Sequence, residues 1–265
     1  MAAREGEERS DLRRAAGWAR HALRRARWAL EDRRLSAEGR RGELGPAHRR
    51  WQPNSVASNR DWWERYDWTG GGEEWTDSTA WKQALVEDVL QTLIPDGVRV
   101  LEIGPGGGRW SVELAARAAH LIVLDLSEAA LESCRERLAA YPDVTFLHGD
   151  GRGLAGVEDA SIDAIWSFDV FVHIAPLDLA AYLEEIGRVL APGGVAVIHH
   201  ADGRNRGRLL SRYGWRAPMS RELLASLARA RGLAVMEQFD SWGEDGRFDL
   251  GAYGDAISVL GRRTG

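Results

Sequence analysis

Residues 98–111 read "VRVLEIGPGGGRWS", an apolar run followed by four glycines within five positions. The apolar run is typical of a buried strand. Glycine adopts positive φ without strain and lets another molecule approach the backbone closely, but it weakens strands and helices. The stretch therefore predicts a strand and then a tight loop that lies against a ligand.

Helical and strand-like segments alternate around this loop. Helices are indicated from Asp77, with Asp77 or Ser78 as N-cap, and after Ser127. Strands are predicted at residues 98–103, 120–126, 144–150, 162–168 and 194–200, and in two C-terminal segments that no helix separates. The pattern predicts an α/β fold: a doubly wound, mostly parallel seven-stranded sheet with an antiparallel C-terminal edge strand.

Carboxylates end the next two strands. Asp125 lies at the end of the second strand, 21 residues after Gly104, and Asp150 lies at the end of the third. Ligands of parallel sheets bind beyond the carboxyl ends of the strands, where Asp125 suits ribose hydroxyls and Asp150 suits an exocyclic adenine amine. The loop departs from the G-x-G-x-x-G of dinucleotide folds, because Arg109 stands where the last glycine would fall.

Two further motifs complete a family pattern: "WSFDVFVHI" at 166–174 and "EIGRVLAPGGVAVI" at 185–198. With them, the chain from about Trp75 to Val259 resembles a class I S-adenosylmethionine-dependent methyltransferase of the group that acts on small molecules. The resemblance implies a Rossmann-like methyltransferase fold, an enzyme, and S-adenosyl-L-methionine as cofactor. The cation of that cofactor also suits an acidic protein better than a pyrophosphate would.

The resemblance implies roles for individual residues. Gly104 and Gly106 would lie alongside the methionine part of the cofactor. Glu102 would orient the amino group of the cofactor through the loop. Asp125 would hold the ribose and Leu126 would cover the adenine. The other implied cofactor-binding positions are Asp150 and Gly151 at the adenine edge, Ser167 and Phe168 on the methionine side, and Trp75.

Three histidines are candidates for a general base. Methyl transfer to a hydroxyl needs a positioned nucleophile and removal of its proton, which histidine performs near neutral pH. His199 and His200 end the fifth strand on opposite faces, so at most one of them is expected to reach the site. His173 has a second interpretation as part of the cofactor wall, and Asp169 or Asp202 is an alternative base. The same groups could ligate a metal, but no metal-binding spacing is present and no metal is predicted.

Half of the 12 tryptophans lie between positions 51 and 81, before the first strand, and we expect some of them to form a lid. They are Trp51, Trp62, Trp63, Trp68, Trp75 and Trp81. Indole faces suit the apolar C–H faces of a sugar and also cations, although a packed hydrophobic lid would explain several of them. "FVHI", "VIHH" and "GWRAPMS" add a looser resemblance to methyltransferases encoded with polysaccharide and glycan assembly enzymes.

These observations favour an O-methyltransferase that acts on a sugar hydroxyl of a glycan or glycosylated metabolite. The first alternative is a methyltransferase of a non-sugar metabolite or lipid. The alternative of another class is a non-catalytic, cofactor-binding scaffold protein in glycan assembly.

Charge divides the chain into two parts. The net charge of the 265 residues is −5, whereas residues 1–50 hold 14 Arg against 8 Asp and Glu. The acidic remainder argues against a nucleic-acid partner. We expect a basic helical arm at 1–35, a linker at 36–50, a Trp-rich lid with the first helix at 51–95, and the cofactor domain at 96–265.

The arm has three interpretations. Its apolar stripe could pack on its own domain, form a short coiled coil with a partner protein or a second copy, or lie on an anionic membrane through residues 9–35. A single cysteine, Cys134, excludes an internal disulfide, and no signal peptide or spanning segment is recognisable. The expected location is therefore cytoplasmic, with peripheral membrane contact as an alternative.

Overall fold

The computed structural model of the chain describes residues 54–203, 216–250 and 253–263. The predicted arm at 1–35, the linker at 36–50 and Trp51 lie outside the described residues. One seven-stranded sheet has the order β3-β2-β1-β4-β5-β9-β6. Its strands are β1 (Arg99–Ile103), β2 (His120–Asp125), β3 (Val144–His148), β4 (Ile162–Phe171), β5 (Leu190–Ala201), β6 (Leu233–Phe239) and β9 (Asp255–Arg262). A separate small hairpin pairs β7 (Ser241–Trp242) with β8 (Phe248–Asp249).

The predicted fold class is confirmed. Strands β1 to β5 pair in parallel, and β9 is antiparallel to both β5 and β6. The two predicted C-terminal strands, β6 and β9, pair with each other. The antiparallel strand β9 lies one place in from the edge, which β6 forms.

Helices cover both faces of the sheet. They are α1 (Val56–Glu64), α2 (Thr79–Ala84), α3 (Gln91–Leu93), α4 (Ser111–Ala115), α5 (Glu128–Arg137), α6 (Pro176–Val189) and α7 (Arg221–Arg229). A π-helical turn at Leu85–Leu90 joins α2 to α3, so the long helix expected here is interrupted. Among the described residues, no helix is long and apolar enough to cross a bilayer.

Local sequence signals fix where the main helices begin. The side chain of Ser78 accepts a hydrogen bond from the backbone of Trp81, so Ser78 and not Asp77 is the N-cap of α2. Ser127 caps α5 in the same way, by accepting from Ala130. Each cap satisfies an N–H group that the first helical turn leaves without a partner.

Alternation along the central strands divides the core in two. Leu101 and Ile103 of β1 belong to the hydrophobic core that includes α6 and α7, whereas Val100 belongs to the core that includes α2, α4 and α5. Because strand side chains alternate between faces, Glu102 points to the same face as Val100. The two faces of the sheet therefore receive different functional side chains at the same strand ends.

Candidate functional site

The glycine loop after β1 depends on glycine at two positions. Gly104 has φ +72° and Gly106 has φ +54°, both in the left-handed region. A Cβ atom at Gly104 would lie 2.3 Å from the side chain of Val170, and one at Gly106 would lie 2.6 Å from the indole of Trp68. Both distances are too short for a Cβ atom, because the protein's own Val170 and Trp68 lie against the loop at these two positions.

A cavity opens beside this loop, at the carboxyl ends of the strands. It encloses about 400 Å³, part of it open to solvent. Its wall includes residues of the predicted cofactor site from three different loops: Gly104, Asp125, Leu126 and Gly151. The lid helix α1 lies over it, since a Cβ at Gly151 would come 2.9 Å from the side chain of Val56.

Asp125 is the buried carboxylate of this cavity. One carboxylate oxygen accepts from the backbone N–H of Gly106 at 3.2 Å, and the other accepts from that of Ser127 at 2.9 Å. Burial raises the pKa of Asp125 to about 6, although these backbone hydrogen bonds lower it in part. The carboxylate therefore ties the glycine loop to the start of α5.

Glu102 lies beneath the glycine loop rather than in the cavity wall. It is almost fully buried, and its carboxylate accepts from the hydroxyl of Ser111 at 2.5 Å. Burial raises the pKa of Glu102 to about 8, against the opposing hydrogen bond from Ser111. This position is consistent with an effect on a ligand through the loop, as the resemblance implies.

Other predicted cofactor residues do not line the cavity. Asp150 is exposed, and its carboxylate accepts from the backbone of Arg152 at 2.8 Å. Ser167 is buried and donates to the carbonyl of Ile103 at 2.9 Å. The side chains of Asp150 and Ser167 are thus occupied in holding a turn and a strand end. Of the adenine-edge pair, Gly151 remains at the cavity.

Phe168 and Trp75 lie in separate aromatic groups. Phe168 is buried on the opposite face of the sheet from the cavity wall, stacked on Trp166 with centroids 5.9 Å apart. We refer to Trp81, Trp110, Trp166, Phe168 and Trp242 as the aromatic cluster.

The lid contains its own group of rings. Trp75 contacts Tyr66 at 6.1 Å, and Tyr66 contacts Trp63 and Trp68 at 5.6 and 4.7 Å. The tryptophans that sequence analysis grouped in one lid are thus divided between two places, because Trp81 belongs to the aromatic cluster. The lid group lies over the glycine loop through Trp68.

The two strand-five histidines point to opposite faces, as the strand period requires. His200 is fully buried, with one ring nitrogen 2.7 Å from the hydroxyl of Ser258 and the other 2.9 Å from the carbonyl of Ala201. Burial lowers the pKa of His200 to about 4. Both ring nitrogens are occupied inside the core, which corrects the expectation that His200 is a candidate base.

His199 belongs to a buried series of charged side chains that we call the ion-pair chain. It runs Arg109–Asp169–His199–Asp255–Arg216, with closest N···O distances of 2.5, 3.2, 3.4 and 2.7 Å. His199 is 1% exposed and Asp169 is 30% exposed. Asp169 is therefore the member of this chain that is most open to solvent, and the imidazole lies directly behind it.

The ion pairs determine the direction of the pKa shifts within the ion-pair chain. Burial lowers the pKa of His199, but the carboxylates of Asp169 and Asp255 outweigh burial and raise it above the ordinary value. Burial raises the pKa of Asp169, but Arg109 and His199 together hold it well below its usual range. The backbone N–H of Asp169 also lies 3.1 Å from Nδ1 of His199. This ring nitrogen therefore has both a donor, that N–H group, and an acceptor, Oδ1 of Asp169, within hydrogen-bonding distance.

His173 is half-buried at the edge of the lid. Its ring lies 5.5 Å from that of Trp63, and its backbone carbonyl accepts from the side chain of Asn59 at 2.8 Å. Both contacts join it to α1. Asp202, the other alternative base, instead pairs with Arg221 at 2.8 Å. In the part of the chain that the structure describes, no three His, Cys, Asp or Glu side chains form a cluster fit to hold a metal ion.

Sequence analysis missed four polar residues of the cavity wall: Asn54, Asn59, Asp178 and Tyr182. Asp178 and Tyr182 are four residues apart on α6, which places them on one helix face. That spacing was a usable signal. Asn54 and Asn59 belong to the lid, where the tryptophans dominated the interpretation.

Comparison with known proteins identifies the domain. Residues 100–194 match a family described as a methyltransferase domain. A demethylmenaquinone methyltransferase of Clavibacter sepedonicus is 41% identical over 103 residues, which are 38% of this chain and 40% of that protein. A phosphoethanolamine N-methyltransferase of Triticum aestivum is 29% identical over 40% of this chain and 21% of its own length. The chain thus spans less than half the length of these curated relatives.

A solved structure extends the likeness beyond the matched segment. The N-methyltransferase NodS of Bradyrhizobium japonicum WM9, in complex with S-adenosyl-L-homocysteine, has a TM-score of 0.57 and 17% identity, and the match covers 79% of this chain and 99% of that one. At this identity the likeness shows a common fold. The methyltransferase domain matched at residues 100–194 therefore lies in a chain that shares its fold with this methyltransferase.

Proposed function

We propose that this protein is an S-adenosylmethionine-dependent O-methyltransferase acting on a hydroxyl group, with a sugar of a glycan or glycosylated metabolite as acceptor. The observation that carries the proposal is the cavity, which joins Gly104, Asp125 and Gly151 under α1. Residues from the ends of β1, β2 and β3 meet there, as a nucleoside-containing ligand requires.

The residues present fit the cofactor. Gly104 lies in the cavity wall, and because it has no side chain its backbone can contact a ligand there. Asp125 offers a buried carboxylate to ribose hydroxyls, and Leu126 offers an apolar surface to adenine. When bound, the cofactor supplies an activated methyl group on a sulfonium cation. Within this chain, Asp125 and the loop would bind and orient it.

The ion-pair chain supplies the proposed base. Asp169 is partly open to solvent, and Oδ1 of this residue is 3.2 Å from Nδ1 of His199. The Asp169 carboxylate would accept a hydrogen bond from the acceptor hydroxyl, and the proton would move through it to Nδ1 of a neutral His199 in one concerted step, because Asp169 itself has a low pKa and does not retain the proton. Because the neighbouring carboxylates raise the pKa of His199, the neutral form gains population only above the ordinary histidine value. Turnover should therefore rise with pH above about 6.5.

The lid supports a sugar acceptor. Trp63, Trp68 and Trp75 present indole rings around Tyr66, next to the glycine loop. The faces of such rings bind the C–H faces of sugars.

A non-sugar acceptor is the second candidate. The aromatic cluster lies beside the ion-pair chain, with the ring of Phe168 4.2 Å from that of His199. Because this cluster is buried, the candidate rests on the relative named demethylmenaquinone methyltransferase, and the cluster supplies an apolar wall behind the ion-pair chain.

Two measurements test the proposal. Calorimetry with S-adenosylhomocysteine should give micromolar affinity, about −8 kcal/mol, and Asp125→Ala should weaken it at least tenfold. Transfer of labelled methyl from S-adenosylmethionine to a panel of sugars, quinols and phospho-amines should then favour the sugars. Transfer to quinols alone would replace the sugar proposal by the second candidate, and cofactor binding without any transfer would favour a scaffold role.

A further inference from the structure

We propose that Asp178 of α6, and not Asp150, recognises the exocyclic amine of adenine, with Tyr182 as its partner in reading the base. This inference rests on the proposed function, because it concerns the cofactor of that reaction. It is carried by the cavity, in whose wall both Asp178 and Tyr182 lie.

Asp150 is already committed to its own loop. Its carboxylate accepts from the backbone of Arg152, and its backbone carbonyl accepts from the guanidinium of Arg60 at 2.8 Å. The side chain is exposed and absent from the cavity wall, whereas the next residue, Gly151, forms part of it. A carboxylate engaged in this way stabilises the turn that presents Gly151.

Asp178 differs in each of these respects. It lines the cavity, and among the described residues its carboxylate makes no hydrogen bond or ion pair. It lies in the first turn of α6, where a negative charge is favourable by itself. The helix dipole accounts for an acidic residue at this end of the helix, but it does not account for the placement of that residue in the wall of a ligand cavity.

Tyr182 supplies the complementary group. It lies one helical turn after Asp178, and its ring is fixed edge-on against Phe171 at 5.3 Å. Burial raises the pKa of the Tyr182 phenol, so the hydroxyl remains a donor at neutral pH. Asp178 thus offers an acceptor and Tyr182 a donor on one side of the cavity. Adenine presents an amine donor next to ring-nitrogen acceptors, which is the matching arrangement.

The arrangement predicts discrimination against a 6-oxo purine. Hypoxanthine replaces the amine by a carbonyl, which would face the Asp178 carboxylate without a proton between them. A site built to accept a hydrogen bond rejects a ligand that lacks the donor, because its polar groups are then left unpaired.

The experiment compares two ligands in calorimetry, S-adenosylhomocysteine and S-inosylhomocysteine. The parent protein should prefer the adenosyl ligand at least tenfold. Asp178→Asn should remove most of that preference, because an amide can donate to a carbonyl at the 6-position. The matched variant Asp150→Asn should keep the parent ratio. Thermal unfolding of each variant checks that it is folded, and Asp178→Glu, which retains the carboxylate, should keep the preference at reduced affinity.

The outcomes separate the two proposals. If the parent binds neither ligand, the proposed function fails. If it binds both equally, or if Asp150→Asn loses the preference and Asp178→Asn keeps it, the proposed function stands and the role of Asp178 is overturned. If Asp178→Asn does not fold, Asp178→Ala takes its place: loss of the preference supports the role of Asp178, and a preference kept at the parent ratio overturns it.

Discussion

The cavity under α1 and the ion-pair chain lie at the same ends of the strands, but they differ in whether their polar groups have partners within the protein. In the cavity, Asp178 is a polar side chain without a hydrogen-bond partner among the described residues, and Gly104 contributes backbone to the wall. In the ion-pair chain, each charged group meets an opposite charge within the protein, and only Asp169 is substantially open. The first region is prepared to receive a ligand, whereas the second is held in place by its own charges.

The difference has an energetic basis. A buried polar group without a partner costs about 1–3 kcal/mol, so groups left open in a cavity are costly unless a ligand or water satisfies them. Buried charges cost more, and they persist when they are paired. The cavity is therefore expected to respond to ligands, and the ion-pair chain to respond to substitution of its members.

The largest expected effect is on turnover, and it contrasts the two histidines of β5. His199→Gln should lower the rate about 10²–10⁴-fold, the usual contribution of a general base, while cofactor affinity remains unchanged. His200→Gln should keep most of the parent rate, because that ring is enclosed against Ser258. Steady-state kinetics with cofactor affinity measured in parallel checks both. Equal rates for the two variants would show that the ion-pair chain has no part in proton transfer.

The next effect concerns stability. Asp255→Ala leaves Arg216 and His199 without their shared carboxylate in a fully buried position, and it should cost about 3–5 kcal/mol in the free energy of unfolding. Asp159→Ala is the control, because Asp159 pairs with Arg188 at the surface. That variant should cost at most about 1 kcal/mol. Urea denaturation measures the free energy of unfolding of both variants. A similar loss in the two variants would mean that the ion-pair chain contributes no more to stability than a surface ion pair.

A third effect concerns cofactor affinity at Gly104, and a second glycine with a similar backbone conformation, Gly97, serves as the control. Gly104→Ala should weaken binding of S-adenosylhomocysteine about a hundredfold, roughly 2.7 kcal/mol, because the added Cβ meets Val170 and displaces the loop. Gly97 has a similar φ of +69°, but a Cβ there would meet nothing within 4 Å. Gly97→Ala should therefore lose about 1 kcal/mol of stability and no affinity. Loss of affinity in both variants would point to backbone strain and not to the shape of the loop.

The sequence predicted one of these regions much better than the other. Hydrophobic alternation and capping residues sufficed for the sheet, for α5 and for the glycine loop, because each is determined by neighbouring residues. Asp125 and Gly151 could be located because they directly follow strands. The ion-pair chain could not be predicted as a unit: it joins Arg109, Asp169, His199, Asp255 and Arg216 from distant parts of the chain, and no local pattern relates them.

Asp150, Ser167 and His200 could be placed along the chain from the sequence, but not by the direction of their side chains. Each lies at a strand end that was located correctly, but the direction of a side chain depends on partners elsewhere. Ser167 is fixed by a carbonyl of β1 and His200 by a hydroxyl of β9. Position along the chain predicted which residues come near the site, and only tertiary packing determined which of them face it.

The smallest effect is the pH dependence of cofactor binding, and it tests whether the cavity relies on an ionised carboxylate. Burial raises the pKa of Asp125 to about 6. Ribose hydroxyls donate more strongly to the ionised form, so affinity for S-adenosylhomocysteine should increase as the pH rises through 6. At pH 5 about a tenth of the carboxyl groups are ionised, which predicts affinity about tenfold weaker than at pH 7. Asp125→Asn should bind more weakly at pH 7 and show little change between the two values. Since Glu102 titrates near pH 8, a rise confined to pH 7–9 would assign the effect to Glu102 beneath the loop and not to the cavity wall.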